Sequence, residues 1–177
     1  MIRLSCCLTA AALLSAGEPT VALGDVALRP VLEPAEGWTV RELAPQRWRW
    51  SHATAADVEV TAIPQDGGGW RLDLLLDNDS GAALRLKTFG IVATIPAAGA
   101  TGFQTLDGIH SQIYSFVSTN DTRKSPNNLM ASWTANGARR TVVGGGLAYQ
   151  RFAKEAQVAR AADDVTLTVS GNDPVGL

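Results

Sequence analysis

The stretch LMASWTANGARRTVVGGGLAYQRF, residues 129–152, decides the fold class of this chain. Two apolar runs flank Asn136 and Gly137, and three consecutive glycines, residues 144–146, interrupt the second run. Asn-Gly between apolar runs is the strongest short-range signal for a β-hairpin, because both residues tolerate the positive φ angles of a type I′ turn. The sequence therefore predicts a long hairpin at the centre of an all-β domain.

Outward from this hairpin, apolar residues recur at every second position, as in strands with one dry face and one wet face. The clearest runs are 58–62, 70–76, 84–86, 89–95 and 165–169. The inward positions change parity near Gly90, which predicts a β-bulge there. Eight or so short strands separated by turn residues predict an all-β fold, a large two-sheet antiparallel β-sandwich of the supersandwich kind.

Three segments are less regular. Residues 25–36 contain Pro30 and Pro34, so we expect an extended edge segment. Residues 96–128 are small and polar, which predicts a long loop with one short strand at 113–117. Residues 149–161 fit both a helical stripe and a strand, and the β-rich surroundings favour a strand or an irregular crossover.

The N-terminus has the pattern of a secretory signal. Arg3 precedes an apolar run at residues 4–14, and small residues follow, with candidate cleavage sites after Gly17 and Gly24. We place the signal at 1–24 and one β-sandwich domain at 25–177, and we expect a secreted or periplasmic protein. A buried N-terminal helix is the alternative interpretation.

Both cysteines, Cys6 and Cys7, lie in this N-terminal segment, so the processed chain is expected to lack disulfides and thiol nucleophiles. The formal net charge is -2 and no basic block occurs, which argues against a nucleic-acid partner. No later stretch is apolar enough to predict a membrane span. We expect neither a nucleic-acid nor a membrane partner, and no cofactor.

The motifs that carry chemistry are incomplete. The glycines at 144–146 lack the Lys and Ser/Thr of a phosphate-binding loop, and Asp77 and Asp79 are not followed by the rest of a calcium loop. The only histidines, His52 and His110, lack the spacing of a zinc pair. A Ser–His–Asp site from Asp107, His110 and Ser111 fails because adjacent strand residues point to opposite faces. We predict no catalytic residue and no metal site.

Five tryptophans are the remaining candidates for function. Trp48 and Trp50 share one face of a predicted strand, with Arg47 and Arg49 on the other. Large aromatics dominate protein cores, so core packing is the favoured interpretation. The alternative is a platform on which flat rings stack against a sugar.

Four short motifs follow one another along the chain: LLLDN at 74–78, IVATIP at 91–96, GFQT at 102–105, and GGLA at 145–148 followed by Phe152. Their order resembles the N-terminal β-sandwich domain of α-galactosidase-like (melibiase) glycoside hydrolases. In that family a Gly-aromatic-Gln-Ser-Trp segment occupies the place of the third motif, and its tryptophan is absent here.

The resemblance implies a C-terminally truncated, non-catalytic domain of a secreted glycoside hydrolase. In such enzymes the sandwich precedes a (β/α)₈ catalytic barrel, packs on it and helps to shape the rim of its sugar pocket. The segment 102–118 is where that contact is expected. The partners are then a carbohydrate and the barrel.

Two alternatives stay open: a free-standing carbohydrate-binding module that uses exposed tryptophans, and a structural or adhesive β-sandwich. The first hypothesis predicts an exposed apolar patch for the barrel, and the second predicts solvent-exposed tryptophans in a row. The residues expected to contact carbohydrate are Trp48, Trp50, Phe103, Gln104, His110 and Trp133.

Overall fold

A computed structural model describes residues 19–31, 36–54, 56–66, 69–79, 81, 88–107, 113–115, 122–126, 128–145, 153–161 and 163–172. Every regular element in these ranges is a β-strand. No helix in the part that the structure describes is long and apolar enough to cross a membrane.

Fourteen strands follow one another in these ranges. They are β1 (Val21–Leu23), β2 (Val26–Val31), β3 (Trp38–Ala44), β4 (Arg47–His52), β5 (Asp57–Pro64), β6 (Trp70–Asp77), β7 (Thr88–Pro96), β8 (Thr101–Asp107), β9 (Ile113–Ser115), β10 (Thr122–Ser125), β11 (Asn128–Ala135), β12 (Ala138–Gly145), β13 (Ala153–Ala161) and β14 (Asp164–Asn172).

The strands form three antiparallel sheets. Sheet A has six strands in the order β1-β2-β7-β14-β13-β10, sheet B has the order β3-β4-β5-β6, and sheet C has the order β12-β11-β8-β9. The predicted all-β antiparallel fold is confirmed. Its strands are divided among three hydrogen-bonded sheets, whose apolar faces share one core.

The hairpin at the centre of the prediction is present as β11 and β12. Asn136 and Gly137 have φ angles of 51° and 72°, and the strands pair from Ala135–Ala138 to Asn128–Gly145. Both turn residues therefore have the positive φ that a type I′ turn requires. Residues 146–152, the last part of the quoted stretch, lie outside the described ranges.

Gly144 lies where two sheets come close together. A Cβ atom at this position would be 2.7 Å from Cδ1 of Leu167 and 2.9 Å from Cγ2 of Val169 on β14. A side chain at this position would require the methyl groups of Leu167 and Val169 to move. The glycine therefore allows close packing between sheets C and A. This role is consistent with the absence of a phosphate-binding loop motif at residues 144–146.

The predicted bulge at Gly90 is wrong. β7 pairs with β14 without a register shift, from Thr88–Asn172 to Pro96–Asp164. A Cβ on Gly90 would overlap the carbonyl oxygen of Val169 and would lie 2.6 Å from Cα of Ser170. The glycine allows a close backbone approach inside a regular ladder, which is the other common reason for glycine in a strand. The predicted strand at 84–86 lies outside the described residues.

The predicted long loop at 96–128 is largely wrong, because the segment also contributes β8 and β10, whereas the short strand predicted at 113–117 is confirmed as β9. β8 is hydrogen-bonded to β11 on one side and β9 on the other. Its buried positions include Phe103, Thr105 and Asp107, and two of these three side chains are polar. A pattern search for apolar alternation therefore misses this strand.

Two weaker expectations have mixed outcomes. The ambiguous segment 149–161 contains strand β13, as the β-rich surroundings favoured. β2 is not an edge strand, because β1 pairs with it over Val26–Leu28. Because β1 has only three residues, its pairing with β2 stops at Leu28. Pro30 therefore has no strand beside it on the β1 side of β2 among the described residues.

Candidate functional site

Trp48 and Trp50 point into the core from β4, with exposed fractions of 7% and 1%. Arg47 and Arg49 occupy the opposite face, as predicted. The indole Nε1 of Trp50 donates a 2.8 Å hydrogen bond to the carbonyl oxygen of Pro19. These rings therefore pack as core residues and present no open face on which a sugar could stack.

Phe103 and Trp133 are also buried, with exposed fractions of 3% and 1%. Their rings stack 5.6 Å apart at an interplanar angle of 19°, and the guanidinium of Arg160 lies 4.0 Å from the centre of the Phe103 ring. The stack joins sheet C to β13 of sheet A, and the cation over Phe103 strengthens it electrostatically.

Gln104 faces away from this stack because adjacent strand residues point to opposite sides. It is exposed, and its Oε1 accepts a 3.0 Å hydrogen bond from Nη2 of Arg139, which also donates to Ser132. His110 lies outside the described residues. Of the six predicted contact residues, the five that are described are therefore distributed over two sheets and opposite faces, and form no single surface.

An apolar cleft of about 310 Å³ opens where the three sheets meet. Its floor consists of side chains from sheet A: Leu23, Val26, Leu28, Ala93, Ile95 and Leu167. Trp70 and Leu72 of β6 form one wall, and Val142 of β12 forms the other. Gln65, Gly69, Thr141 and Val143 complete the lining, and no charged side chain is among the described residues that line it.

An ion pair links the floor of the cleft to the wall formed by β12. Nη1 of Arg140 lies 2.9 Å from Oδ2 of Asp25, and both side chains are 42% exposed. Asp25 immediately precedes Val26, and Arg140 immediately precedes Thr141. The pair therefore connects the β1–β2 turn to β12 beside the cleft. The sequence contains no signal for this cleft, because its lining comes from six strands and one turn that are distant along the chain.

The outer face of sheet B carries a second arrangement, centred on Glu59. Its side chain is 5% exposed although it points away from the core, because two arginines cover it. Nε of Arg49 donates to Oε1 at 2.8 Å and Nε of Arg47 donates to Oε2 at 3.1 Å. Hydrogen bonds first from Arg49 and then from Arg47 lower the pKa of Glu59. Nη1 of Arg49 also lies 3.5 Å from Oδ2 of Asp57.

β6 is the outermost strand of sheet B in the part of the chain that the structure describes. Its inner side chains are all apolar and only partly buried: Trp70, Leu72, Leu74 and Leu76. Leu75, on the other face, is 60% exposed. This strand thus presents an incompletely covered apolar strip that continues into the cleft at Trp70 and Leu72.

Neither a metal centre nor a catalytic constellation is visible in the described ranges. No group of three or more His, Cys, Asp or Glu residues there could hold a metal ion. Asp107, considered above for a Ser–His–Asp site, accepts a 3.2 Å hydrogen bond from Oγ of Ser125 inside the protein. Its companions His110 and Ser111 lie outside the described residues.

Fold and site together define an antiparallel all-β protein with an apolar cleft between its sheets. No protein-family model matches the chain, and no curated protein and no solved structure matches it either. A more particular identity therefore rests on the sequence motifs, and it is taken up as a proposal.

Proposed function

We propose that this chain is the non-catalytic N-terminal β-sandwich domain of a secreted α-galactosidase-like glycoside hydrolase. It packs on a (β/α)₈ catalytic barrel and shapes the rim of the sugar pocket. Three of the four motifs that suggested the family lie on consecutive strands, at the end of β6, the end of β7 and the start of β8, which belong to three different sheets. The fourth begins at Gly145, the last residue of β12.

The observation that carries the proposal is the apolar strip on β6. Leu72, Leu74 and Leu76 are partly exposed although they pair with the buried residues Ala62, Val60 and Val58 of β5. Partly exposed leucines in a row are typical of a surface that a partner covers. The domain then contributes shape and apolar contact to the assembly, while the barrel supplies the chemistry.

The first test is to read the coding sequence downstream of the Leu177 codon. An in-frame barrel is the expected result, and a stop codon with no barrel encoded beside it contradicts the proposal. The second test measures association of this chain with the separately produced barrel by sedimentation.

Two serine variants sharpen the second test. Leu76→Ser removes apolar surface from β6 and is expected to weaken association about tenfold, as loss of one buried leucine at an interface does. Leu75→Ser is the control, because Leu75 is 60% exposed and lies on the opposite face of β6 from the strip. Equal weakening by both variants would place the contact elsewhere.

The alternative function is a free-standing carbohydrate-binding module, but the tryptophans proposed as its sugar platforms, Trp48, Trp50 and Trp133, are buried in the core. Trp38 and Trp70 are the two partly exposed tryptophans. They lie on β3 and β6, the two outer strands of four-stranded sheet B, roughly 14 Å apart at the strand spacing of sheets. Two rings at opposite edges form no coplanar row, which argues against carbohydrate binding by stacked tryptophans. The apolar strip on β6 is what supports docking over a structural or adhesive role.

Secretion belongs to the same proposal, and the fold favours one of the two cleavage sites. Cleavage after Gly24 would remove β1 and the Pro19 carbonyl that accepts the hydrogen bond from Trp50. A buried indole N–H left without a partner costs about 1–3 kcal/mol. We therefore expect cleavage after Gly17, and the intact mass of the secreted protein measures it. A mature chain that starts at Asp25 contradicts this expectation.

A further inference from the structure

We propose that the cleft between the three sheets binds one aliphatic chain, as found in fatty acids and fatty alcohols. This inference shares Trp70 and Leu72 with the strip on β6, but it concerns the inside of the cleft and needs no barrel. Three properties of the cleft support it: its lining, its size and its opening.

The lining selects an apolar ligand. The floor and both walls are aliphatic or aromatic, and no charged side chain lines the cleft among the described residues. A sugar or a nucleotide would bury hydroxyl or phosphate groups with few partners there, which is unfavourable. A hydrocarbon chain needs no partners and gains free energy from every methylene that leaves water.

The size selects a small ligand. A volume of about 310 Å³ lies at the lower end of the range of small-molecule sites, about 300–1,000 Å³. The space is bounded by sheet A below and by β6 and β12 at the sides. One aliphatic chain is a small enough ligand for a volume of this size.

The opening leaves a place for a polar head group. Val143 is 62% exposed, and the polar residues Gln65 and Thr141 also line the cleft. Arg140, whose guanidinium binds Asp25, lies next to Thr141 in the chain and has further N–H donors. Fatty acids and fatty alcohols would therefore both place their aliphatic chain in the cleft and keep their head group at the surface.

Calorimetric titration of the purified full chain with hexanoate, octanoate, decanoate and dodecanoate tests the proposal, each below its micelle concentration. The affinity is expected to rise about fourfold per added methylene and to level off once the cleft is full. Trp70 lines the cleft, so its fluorescence should shift on binding, and the shift should be lost in Trp70→Phe. Parallel titration with decan-1-ol separates the two head groups: tighter binding of decanoate assigns the head group to Arg140, and equal binding assigns recognition to the chain alone.

Two glutamine variants on one strand provide the matched control. Leu72→Gln places an amide in the cleft and is expected to weaken decanoate binding about tenfold or more. Leu75→Gln makes the same change on the opposite face of the same strand. The Leu75 side chain is 60% exposed and outside the cleft, so this variant should leave binding unchanged. Circular dichroism establishes that both variants are folded. If Leu72→Gln is not, Val143→Trp, a rim change at an exposed site, replaces it and should also weaken binding.

Three results would overturn the proposal. They are absence of binding at any chain length, an affinity that does not depend on chain length, and equal weakening by Leu72→Gln and Leu75→Gln. A fourth result would also overturn it: the wild type and Leu72→Gln adsorb equally to phosphatidylcholine vesicles, and neither binds free decanoate. The protein would then contact a lipid surface and would not hold a chain in the cleft.

Discussion

Strands β5 and β6 lie side by side in sheet B with similar inner faces, yet they are buried very differently. Val58 and Val60 of β5 are 0% exposed, whereas their register partners Leu76 and Leu74 of β6 are only partly buried. β5 has a neighbouring strand on both sides, and β6 has one on a single side among the described residues. The neighbours, more than the residues themselves, determine how completely an apolar side chain is buried.

The outer faces of the same two strands differ as well. On β5 the carboxylate of Glu59 is covered by Arg47 and Arg49 and is 5% exposed. On β6 the ion pair of Arg71 and Asp73 stays in solvent, with side-chain exposures of 45% and 53%. A charged group in the middle of a sheet can be buried by its cross-strand neighbours, and one on an outer strand is not. Four predictions test this contrast, beginning with the largest effect.

The largest effect is expected for a polar residue on the inner face of β5. Val60→Gln places an amide without partners in the core and should lower the free energy of unfolding by about 3 kcal/mol or more. Leu75→Gln, the control on β6, should change it by at most about 0.5 kcal/mol. Urea denaturation measures both, and similar values for the two variants would remove the contrast.

A truncation on the inner face of β6 should have an intermediate effect. Full burial makes Leu→Ala cost about 2–5 kcal/mol, which is expected for Leu129→Ala, since Leu129 is 1% exposed. Leu74→Ala should cost roughly half as much, because part of that side chain is already in water. If the thermal denaturation of Leu74→Ala shows the full core cost, β6 is covered as completely as β5.

Acid should weaken the arrangement around Glu59 on β5. The pKa of Glu59 is lowered in the folded state by hydrogen bonds from Arg49 and Arg47, below the ordinary value of 4.5. Its contribution to stability is therefore complete above that ordinary value and is lost as the pH falls through the lowered pKa.

The variant Glu59→Gln tests this contribution. It should be less stable than the wild type at neutral pH, and the gap in Tm between the two proteins should narrow as the pH falls below about 4.5. Thermal melts across the acid range measure it. A gap that stays constant with pH would show that the carboxylate charge contributes nothing.

The smallest effect is expected for the exposed ion pair on β6. Arg71→Gln removes both hydrogen bonds to Asp73, at 3.0 Å each, and should change the unfolding free energy by less than about 1 kcal/mol. Repeating the urea denaturation at high salt gives the control, since screening should abolish even this difference. A larger loss would mean that the pair is covered by a neighbour.

Local sequence signals predicted the strands that follow simple rules. The Asn136-Gly137 turn, the alternation on β6 and β14, and the opposed faces of tryptophans and arginines on β4 are all present. These features depend on φ preference and on the two-residue period of strands, which act within a few residues. A single sequence was therefore enough to predict these features.

The failures share a different cause. β8 was predicted as loop because two of its buried positions are Thr105 and Asp107, and polar residues become strand residues there through pairing with β11 and β9. Gly90 indicated a bulge, but the reason for glycine is the backbone of β14, which is far away in the sequence. The strands that lie beside β8 and Gly90 could not be predicted from the residues adjacent to them in the sequence.

The sequence by itself therefore determined the all-β class, the central hairpin and the side of each regular strand that faces the core. The tertiary structure decided which strands are central and which are outermost, and with that the burial of Trp48, Trp50, Phe103 and Trp133, the strip on β6 and the apolar cleft. The physical reason is that side-chain direction is set by adjacent backbone angles, whereas burial is set by contacts between residues distant in the chain.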